Sequence, residues 1–109
     1  MPVREIAPRA LKQRLVGPGE PPVLLDVRTP EEHALVALPG SRLVPLQQFG
    51  ERVAELDALK GHPVVVYCHS GVRSFHAAAF LASRGIEAES LAGGIDRYSL
   101  EVDPSLPRY

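Results

Sequence analysis

Residues 64 to 80, VVVYCHSGVRSFHAAAF, decide how this chain is interpreted. The run begins with β-branched and aromatic residues, which predict a buried strand. The only cysteine of the chain, Cys68, follows directly, and a short turn with one glycine and one arginine separates it from an alanine-rich run. That run predicts a helix from about Ser74 to Arg84, ended by Gly85. The sequence therefore places its single thiol between the end of a strand and the N-terminus of a helix.

The rest of the chain alternates short apolar runs with helical patterns, which is typical of an α/β fold: a parallel sheet with helices on both faces. We predict one domain over residues 1–109, with strands at residues 3–6, 23–27, 42–44, 63–67 and 86–91. Helices are predicted near residues 8–16, 29–37, 47–60 and 74–84, and the residues after Gly93 and Gly94 are predicted to form a turn and a tail. Two apolar faces support these helices: Leu11, Leu15 and Val16, then Phe49, Val53, Leu56 and Leu59.

The composition excludes several function classes. The chain is 45% hydrophobic and 23% charged with a net charge of -1, and no basic block offers a surface for nucleic acid. No apolar run approaches the roughly 20 residues of a membrane span, and the N-terminal residues lack the apolar core of a signal peptide. One cysteine permits no internal disulfide, which fits a reducing compartment. We therefore expect a small soluble protein of the cytoplasm, without nucleic-acid or membrane partners.

Three chemically capable residues are predicted to share one edge of the sheet. Ligands of parallel α/β sheets bind beyond the carboxyl ends of the strands. Cys68 follows the most apolar strand, and Asp26 and Arg28 stand at the same end of another apolar strand. Two interpretations of Asp26 and Arg28 remain open. We favour an ion pair that supports the cysteine loop over direct contacts with substrate, and Arg28 is the better suited of the two to face substrate.

The loop after Cys68 is suited to activate a thiol. A free cysteine has a pKa near 8.5, but positive charge and a helix N-terminus lower such values to roughly 3.5–7.5. The backbone N–H groups of residues 69–74 can turn toward an anion, Gly71 permits the angles that this requires, and Arg73 adds a full charge. The alternative is an inert, buried cysteine. The polar residues that follow Cys68 argue against it.

The loop Cys68-His69-Ser70-Gly71-Val72-Arg73-Ser74 resembles the active-site loop Cys-x-x-Gly-x-Arg-Ser/Thr of the rhodanese (thiosulfate sulfurtransferase) family. Three further segments resemble the family in the same order along the chain. They are Leu25-Asp26-Val27-Arg28 with Glu32, Leu38-Pro39-Gly40-Ser41 with Val44-Pro45-Leu46, and Leu91-Ala92-Gly93-Gly94-Ile95. The resemblance implies a rhodanese-like fold with a five-stranded parallel sheet.

The resemblance to the rhodanese family also implies the reaction, a transfer of sulfur. Cys68 would take sulfane sulfur from a donor such as thiosulfate or a persulfide, and pass it to an acceptor thiol, to cyanide or to a ubiquitin-like carrier protein. No metal or cofactor is implied. The tail, residues 101–109, resembles the ending of rhodanese domains fused to adenylyltransferases, which pass sulfur to such carriers. The substrate-binding residues would be His69, Ser70, Gly71, Val72, Arg73, Ser74 and Arg28, with Asp26 supporting them.

Three other functions are weighed against this one. Phosphatases and arsenate reductases of related fold have five residues between cysteine and arginine, whereas this chain has the four residues His69 to Val72, too few for a phosphate-sized nest. Binding modules that resemble rhodanese often lose the cysteine or the arginine, and both are present here. A zinc site at Cys68, His69 and His76 is disfavoured because the loop amides would occupy the thiolate.

Overall fold

The computed structural model describes residues 3–109 of the chain. The elements, in chain order, are β1 Arg4–Ile6, α1 Pro8–Val16, β2 Val23–Asp26, α2 Pro30–Leu35, β3 Arg42–Leu43, a single 3₁₀ turn Leu46–Gln48, α3 Val53–Asp57, β4 Val64–Tyr67, α4 Val72–Ser83, β5 Ala88–Leu91 and α5 Gly94–Glu101. No helix among these described residues is both long enough and apolar enough to cross a membrane.

The five strands form one parallel sheet in the order β1-β5-β4-β2-β3, which confirms the predicted fold class. Strand β4 occupies the centre, and its register pairs Val64 with Val23 of β2 and Tyr67 with Asp26. Because parallel neighbours end at the same edge of a sheet, the residues after Asp26 and after Tyr67 leave side by side. This register brings the Asp26 segment next to the Cys68 loop.

Helices cover both faces of the sheet because alternate residues of β4 point in opposite directions. One face of β4, carrying Val64 and Val66, packs against α3 and α4 through buried side chains, namely Leu56, Ala77, Ala78 and Leu81. The other face packs against α1 and α5 through another set of buried side chains, namely Leu11, Ile95 and Tyr98. A central strand buried on both sides is the reason why residues 64–67 read as one continuous apolar run.

The prediction of one continuous helix over residues 47–60 is wrong. The structure has the 3₁₀ turn Leu46–Gln48 and then the short helix α3, with Gly50 between them. Glycine in a helix interior costs about 1 kcal/mol relative to alanine, and this segment is too short to recover that cost. Three of its four predicted apolar residues are nevertheless buried, namely Phe49, Leu56 and Leu59. Tertiary packing therefore keeps the apolar face without a continuous helix.

Two other helix predictions need correction. Helix α5 occupies residues that were predicted to be a turn and a tail, although the spacing of Ile95, Tyr98 and Val102 is helical. The prediction that Val16 lies on the apolar face of α1 is also wrong, since the residue is 68% exposed. Five residues after the buried Leu11, it lies about 140° further around the helix and faces solvent.

Candidate active site

Cys68 lies at the base of the loop between β4 and α4, and only 1% of the residue is exposed. Its sulfur accepts hydrogen bonds from the backbone N–H of Gly71 at 3.1 Å and of Ser74 at 3.3 Å. The Oγ of Ser74 lies 3.5 Å from the same sulfur. Two amide donors and a hydroxyl therefore surround the position where negative charge on sulfur would develop.

Gly71 gives the loop its shape. Its φ of 106° lies in the left-handed region, and the helix α4 begins directly after it, at Val72. The helix thus starts two residues before the predicted Ser74, because the glycine and not the serine ends the loop. A Cβ on Gly71 would stand 3.3 Å from the backbone nitrogen of Gly93. Glycine therefore permits both the turn and the close approach of the two segments.

The carbonyl groups of the loop are held by the first turn of α5. The carbonyl oxygen of Cys68 accepts a hydrogen bond from Ile95 N at 2.9 Å, and that of His69 accepts one from Asp96 N at 3.1 Å. Gly94 makes this contact possible: a Cβ there would lie 2.6 Å from the Cys68 oxygen and closer still to the carbonyl of His69. The N-terminus of α5 is therefore the platform on which the Cys68 loop rests.

We expect the substitution Gly94→Ala to lower both stability and sulfur transfer. A φ of 64° at this position costs a non-glycine residue about 1–2 kcal/mol, and the added methyl forces the loop off α5. The measurements are the midpoint of thermal unfolding and the rate of persulfide formation with thiosulfate. Gly85→Ala is the matched control, since its φ of 79° carries the same strain with open space around the Cβ. Equal effects of the two substitutions on transfer would contradict the platform role of Gly94.

Arg73 is fixed by helix α2 and not by the loop itself. Its guanidinium donates two parallel hydrogen bonds to the carboxylate of Glu32, at 2.7 and 2.9 Å. A capping box begins α2, because Thr29 Oγ1 accepts from Glu32 N while Glu32 Oε1 accepts from Thr29 N. The hydrogen bonds from Arg73 hold the pKa of the Glu32 carboxyl well below its ordinary value. A cation five residues after Cys68 is therefore held in a fixed position by Glu32.

Asp26 and Arg28 form a fully buried ion pair at the end of β2. The Nε and Nη2 of Arg28 donate to the two carboxylate oxygens at 2.9 and 2.7 Å, and Nη2 also donates to the carbonyl of Val36 at 2.6 Å. The Nη1 donates to the hydroxyl of Tyr109 at 2.8 Å. Because Arg28 is 0% exposed and all three guanidinium nitrogens are engaged, this geometry favours the supporting ion pair over a substrate-facing Arg28.

The carboxylate of Asp26 also accepts a hydrogen bond from the Tyr67 hydroxyl at 3.2 Å, and His33 Nδ1 lies 2.8 Å from the same oxygen. Burial raises the pKa of Tyr67 to about 12, so this hydroxyl keeps its proton and remains a donor. For Arg28, burial opposes the charge, but the hydrogen bonds to Asp26 and Tyr109 outweigh it and raise the pKa. Arg28 therefore keeps its charge, and its hydrogen bonds to Asp26 anchor the segment that follows β2.

Two of the remaining predicted loop residues face outward, whereas His69 is partly buried. Ser70 and Val72 are exposed and line a surface pocket of about 360 Å³ together with Gly71 and Phe75. His69 stacks its ring on Tyr109 at a centroid distance of 4.3 Å, and its Nδ1 is buried with no hydrogen-bond partner in residues 3–109. Across the same residues, no group of three or more His, Cys, Asp or Glu side chains is placed to hold a metal.

Two residues of the site were missed from the sequence. Ser90 of β5 shares a hydrogen bond of 2.8 Å with Ser74, so it positions the hydroxyl nearest the sulfur. A polar residue within an otherwise buried strand was the available signal. Tyr109 reaches Arg28, Glu32 and His69 from the tail. No local pattern indicated that contact.

Comparisons with known proteins agree with this geometry. The sequence profile named Rhodanese-like domain matches residues 7–101. The chain is 38% identical to a protein named Sulfurtransferase from Allochromatium vinosum, over 85% of each chain. It is 37% identical to Rhodanese-like/PpiC domain-containing protein 12, chloroplastic, of Arabidopsis thaliana, over 99% of this chain and 38% of that one. It is 36% identical to the probable adenylyltransferase/sulfurtransferase MoeZ of Mycobacterium tuberculosis, over 95% of this chain and 26% of that one.

Among solved structures, a rhodanese-like domain protein from Staphylococcus aureus superposes with a TM-score of 0.82 at 27% identity, over 98% of this chain and 99% of that one. The chain therefore spans well under half of the Arabidopsis and Mycobacterium relatives, but most of the Allochromatium and Staphylococcus proteins. The profile match, the relatives and the shared fold together show that this chain belongs to the rhodanese-like domain family.

Proposed function

We propose that the protein transfers sulfane sulfur through a persulfide on Cys68. The observation that carries this proposal is the pair of backbone N–H groups, from Gly71 and Ser74, that point at the Cys68 sulfur. The thiolate that attacks the donor, and that leaves again when sulfur is passed on, is an anion on this sulfur, and fixed amide donors stabilise it without giving it a proton. Relatives named as sulfurtransferases support the same class of reaction.

The reaction proceeds in two displacements. The Cys68 thiolate attacks the outer sulfur of thiosulfate, a new S–S bond forms, and the S–S bond of thiosulfate breaks with sulfite leaving as the carrier of the electron pair. An acceptor thiolate or cyanide then attacks the terminal sulfur of the persulfide, and Cys68 leaves as a thiolate. The covalent intermediate divides one difficult transfer into two easier steps. The charge of Arg73 favours the approach of an anionic donor.

A carrier protein is the second candidate for the acceptor, because the MoeZ relative is named as an adenylyltransferase as well as a sulfurtransferase. Four small residues near the loop are candidates to leave room for the slim tail of such a carrier, namely Gly71, Ala92, Gly93 and Gly94. Three of these residues are close to other backbone segments: Gly94 is buried under the loop carbonyls, and Gly71 packs against Gly93. Access to the loop is instead offered by the exposed residues Val72 and Phe75.

Mass spectrometry of the intact protein after incubation with thiosulfate tests the proposal. We expect an adduct with the mass of one sulfur atom on the wild type, removed by cyanide or dithiothreitol. If no sulfane donor produces this adduct, the protein is better explained as a non-catalytic binding module. Hydrolysis of an aryl phosphate well above background would favour the phosphatase.

The same persulfidated protein can be mixed with an adenylated ubiquitin-like carrier whose mass is then followed. Gain of sulfur by the carrier supports carrier delivery. A carrier that stays unmodified while small thiols are readily sulfurated would assign the acceptor to the small-molecule class.

A further inference from the structure

The segment after α5, residues 102–109, folds back toward the Cys68 loop; we call it the strap. The carbonyl of Leu106 accepts a hydrogen bond from Ser99 Oγ at 2.6 Å, and Arg108 pairs with Asp96 at 2.8 and 3.2 Å. Leu106 packs against the core beside α1 and α5. These contacts fix the path of the strap, and they bring Tyr109 to the edge of the sheet where the loop lies.

Tyr109 contacts three parts of the site at once. Its hydroxyl accepts a hydrogen bond from Arg28 Nη1 at 2.8 Å and donates one to Glu32 Oε2 at 2.6 Å. Its ring lies against the ring of His69, the residue next to the nucleophile, at 4.3 Å. Burial and the hydrogen bond to Glu32 raise the pKa of this phenol, so it keeps the proton that it donates.

This hydroxyl joins two ion pairs that share no other direct hydrogen bond within residues 3–109. The Asp26–Arg28 pair is fully buried, whereas the Glu32–Arg73 pair is partly exposed. Glu32 Oε2 accepts from both Arg73 and Tyr109. Tyr109 therefore ties the Glu32 carboxylate to the buried ion pair at the end of β2. Because Glu32 binds Arg73, this contact also sets the position of Arg73.

We propose that Tyr109 is a positioning residue of the active site, which holds Arg73 and His69 against the Cys68 loop so that anionic sulfur donors are favoured. The nature of the donor rests on the proposed function. The positioning itself rests on the hydroxyl bridge and on the ring contact. Arg73 acts on the reacting atoms through its charge, and Tyr109 acts through Glu32. The residue is 44% exposed, so its substitution perturbs the network without opening the core.

The test compares alkylation of Cys68 by iodoacetate, which is anionic, and by iodoacetamide, which is neutral. Both reagents need the thiolate, so the ratio of their rates is independent of the fraction of thiol that is ionised. The ratio instead reports the positive charge held beside the sulfur. Since the chain has one cysteine, the rates belong to Cys68 alone. The readout needs no sulfur transfer.

We expect Tyr109→Phe to lower the iodoacetate-to-iodoacetamide ratio about fivefold, since charge-assisted hydrogen bonds are the strong ones and the substitution removes two, one from Arg28 and one to Glu32. Arg73→Ala, the positive control, lowers the ratio further. Tyr98→Phe is the matched control: Tyr98 lies on α5 outside this network, and its ratio stays within about a factor of two of wild type. Tyr109→Leu, which also removes the ring from His69, lowers the ratio at least as much as Tyr109→Phe.

A folded Tyr109→Phe with a wild-type ratio would overturn the proposal, and so would an equal fall of both alkylation rates, which indicates general loosening of the loop. Thermal unfolding of each variant checks that it is folded. If Tyr109→Phe does not fold, the ratio measured for Tyr109→Leu tests the proposal in its place. A lowered ratio in a protein that forms no persulfide with thiosulfate would refute the proposed function while supporting the positioning role.

Discussion

Replacing Cys68 with serine is expected to abolish sulfur transfer while leaving the fold almost unchanged. The hydroxyl of serine can accept the same hydrogen bonds from Gly71 and Ser74, but it cannot carry sulfur as a persulfide. We expect the transfer rate from thiosulfate to cyanide to fall by about a thousandfold or more, to the uncatalysed background. Formation of thiocyanate measures the rate, and intact mass measures the adduct.

Thermal unfolding serves as the control for this substitution, and its midpoint stays close to the wild-type value because the side chains are nearly the same size. Retention of more than about a tenth of the wild-type transfer rate would remove Cys68 from the mechanism. A second acceptor of sulfur would then have to exist in a chain that has no second cysteine.

Asp26→Asn is expected to cause the largest loss of stability. It leaves Arg28 charged, 0% exposed and without its carboxylate, and removal of one partner of a buried ion pair typically costs about 3–5 kcal/mol. For a domain of this size, each kcal/mol lowers the unfolding midpoint by several degrees. Urea or thermal unfolding followed by circular dichroism measures the loss.

The double substitution Asp26→Asn with Arg28→Met is the control, because it removes the stranded charge together with its partner. We expect the double variant to recover part of the lost stability, because replacing both members of a buried ion pair by uncharged residues often costs little. Glu55→Gln, which breaks the exposed Arg52–Glu55 pair, should leave the midpoint almost unchanged. A loss from Asp26→Asn no larger than that from Glu55→Gln would show that the buried pair does not anchor the end of β2.

Local signals in the sequence were sufficient to predict the parallel sheet and the Cys68 loop. The continuous apolar run of residues 64–67 identified the central strand, since only a strand covered on both faces reads that way. The start of the helix predicted near residue 29 is also a local signal, because the capping box of Thr29 and Glu32 is complete within four residues. The loop from Cys68 to Ser74 was recognisable for the same reason: the sulfur and the amides that bind it lie within seven residues.

Helical segments were predicted less well where a glycine intervened. The segment around Gly50 was predicted to be one helix and is interrupted, whereas α5 was overlooked because the pair Gly93 and Gly94 was interpreted as the end of regular structure. Glycine marks both helix ends and close approaches, and the sequence does not distinguish them. The carbonyls of Cys68 and His69 that lie over Gly94 supply that distinction.

The sequence by itself thus determined the α/β class, the parallel sheet and the position of the thiol, since each of these follows from hydrophobic period or from neighbours along the chain. Only the tertiary structure decided which groups from distant parts of the chain support the loop around that thiol. It linked Ser90 to Ser74 across 16 residues, and brought Tyr109 to Arg28 and Glu32 across 81 and 77 residues of chain. Hydrogen bonds between residues so far apart leave no periodic trace, because they depend on where the packed sheet and helices place the two chain segments.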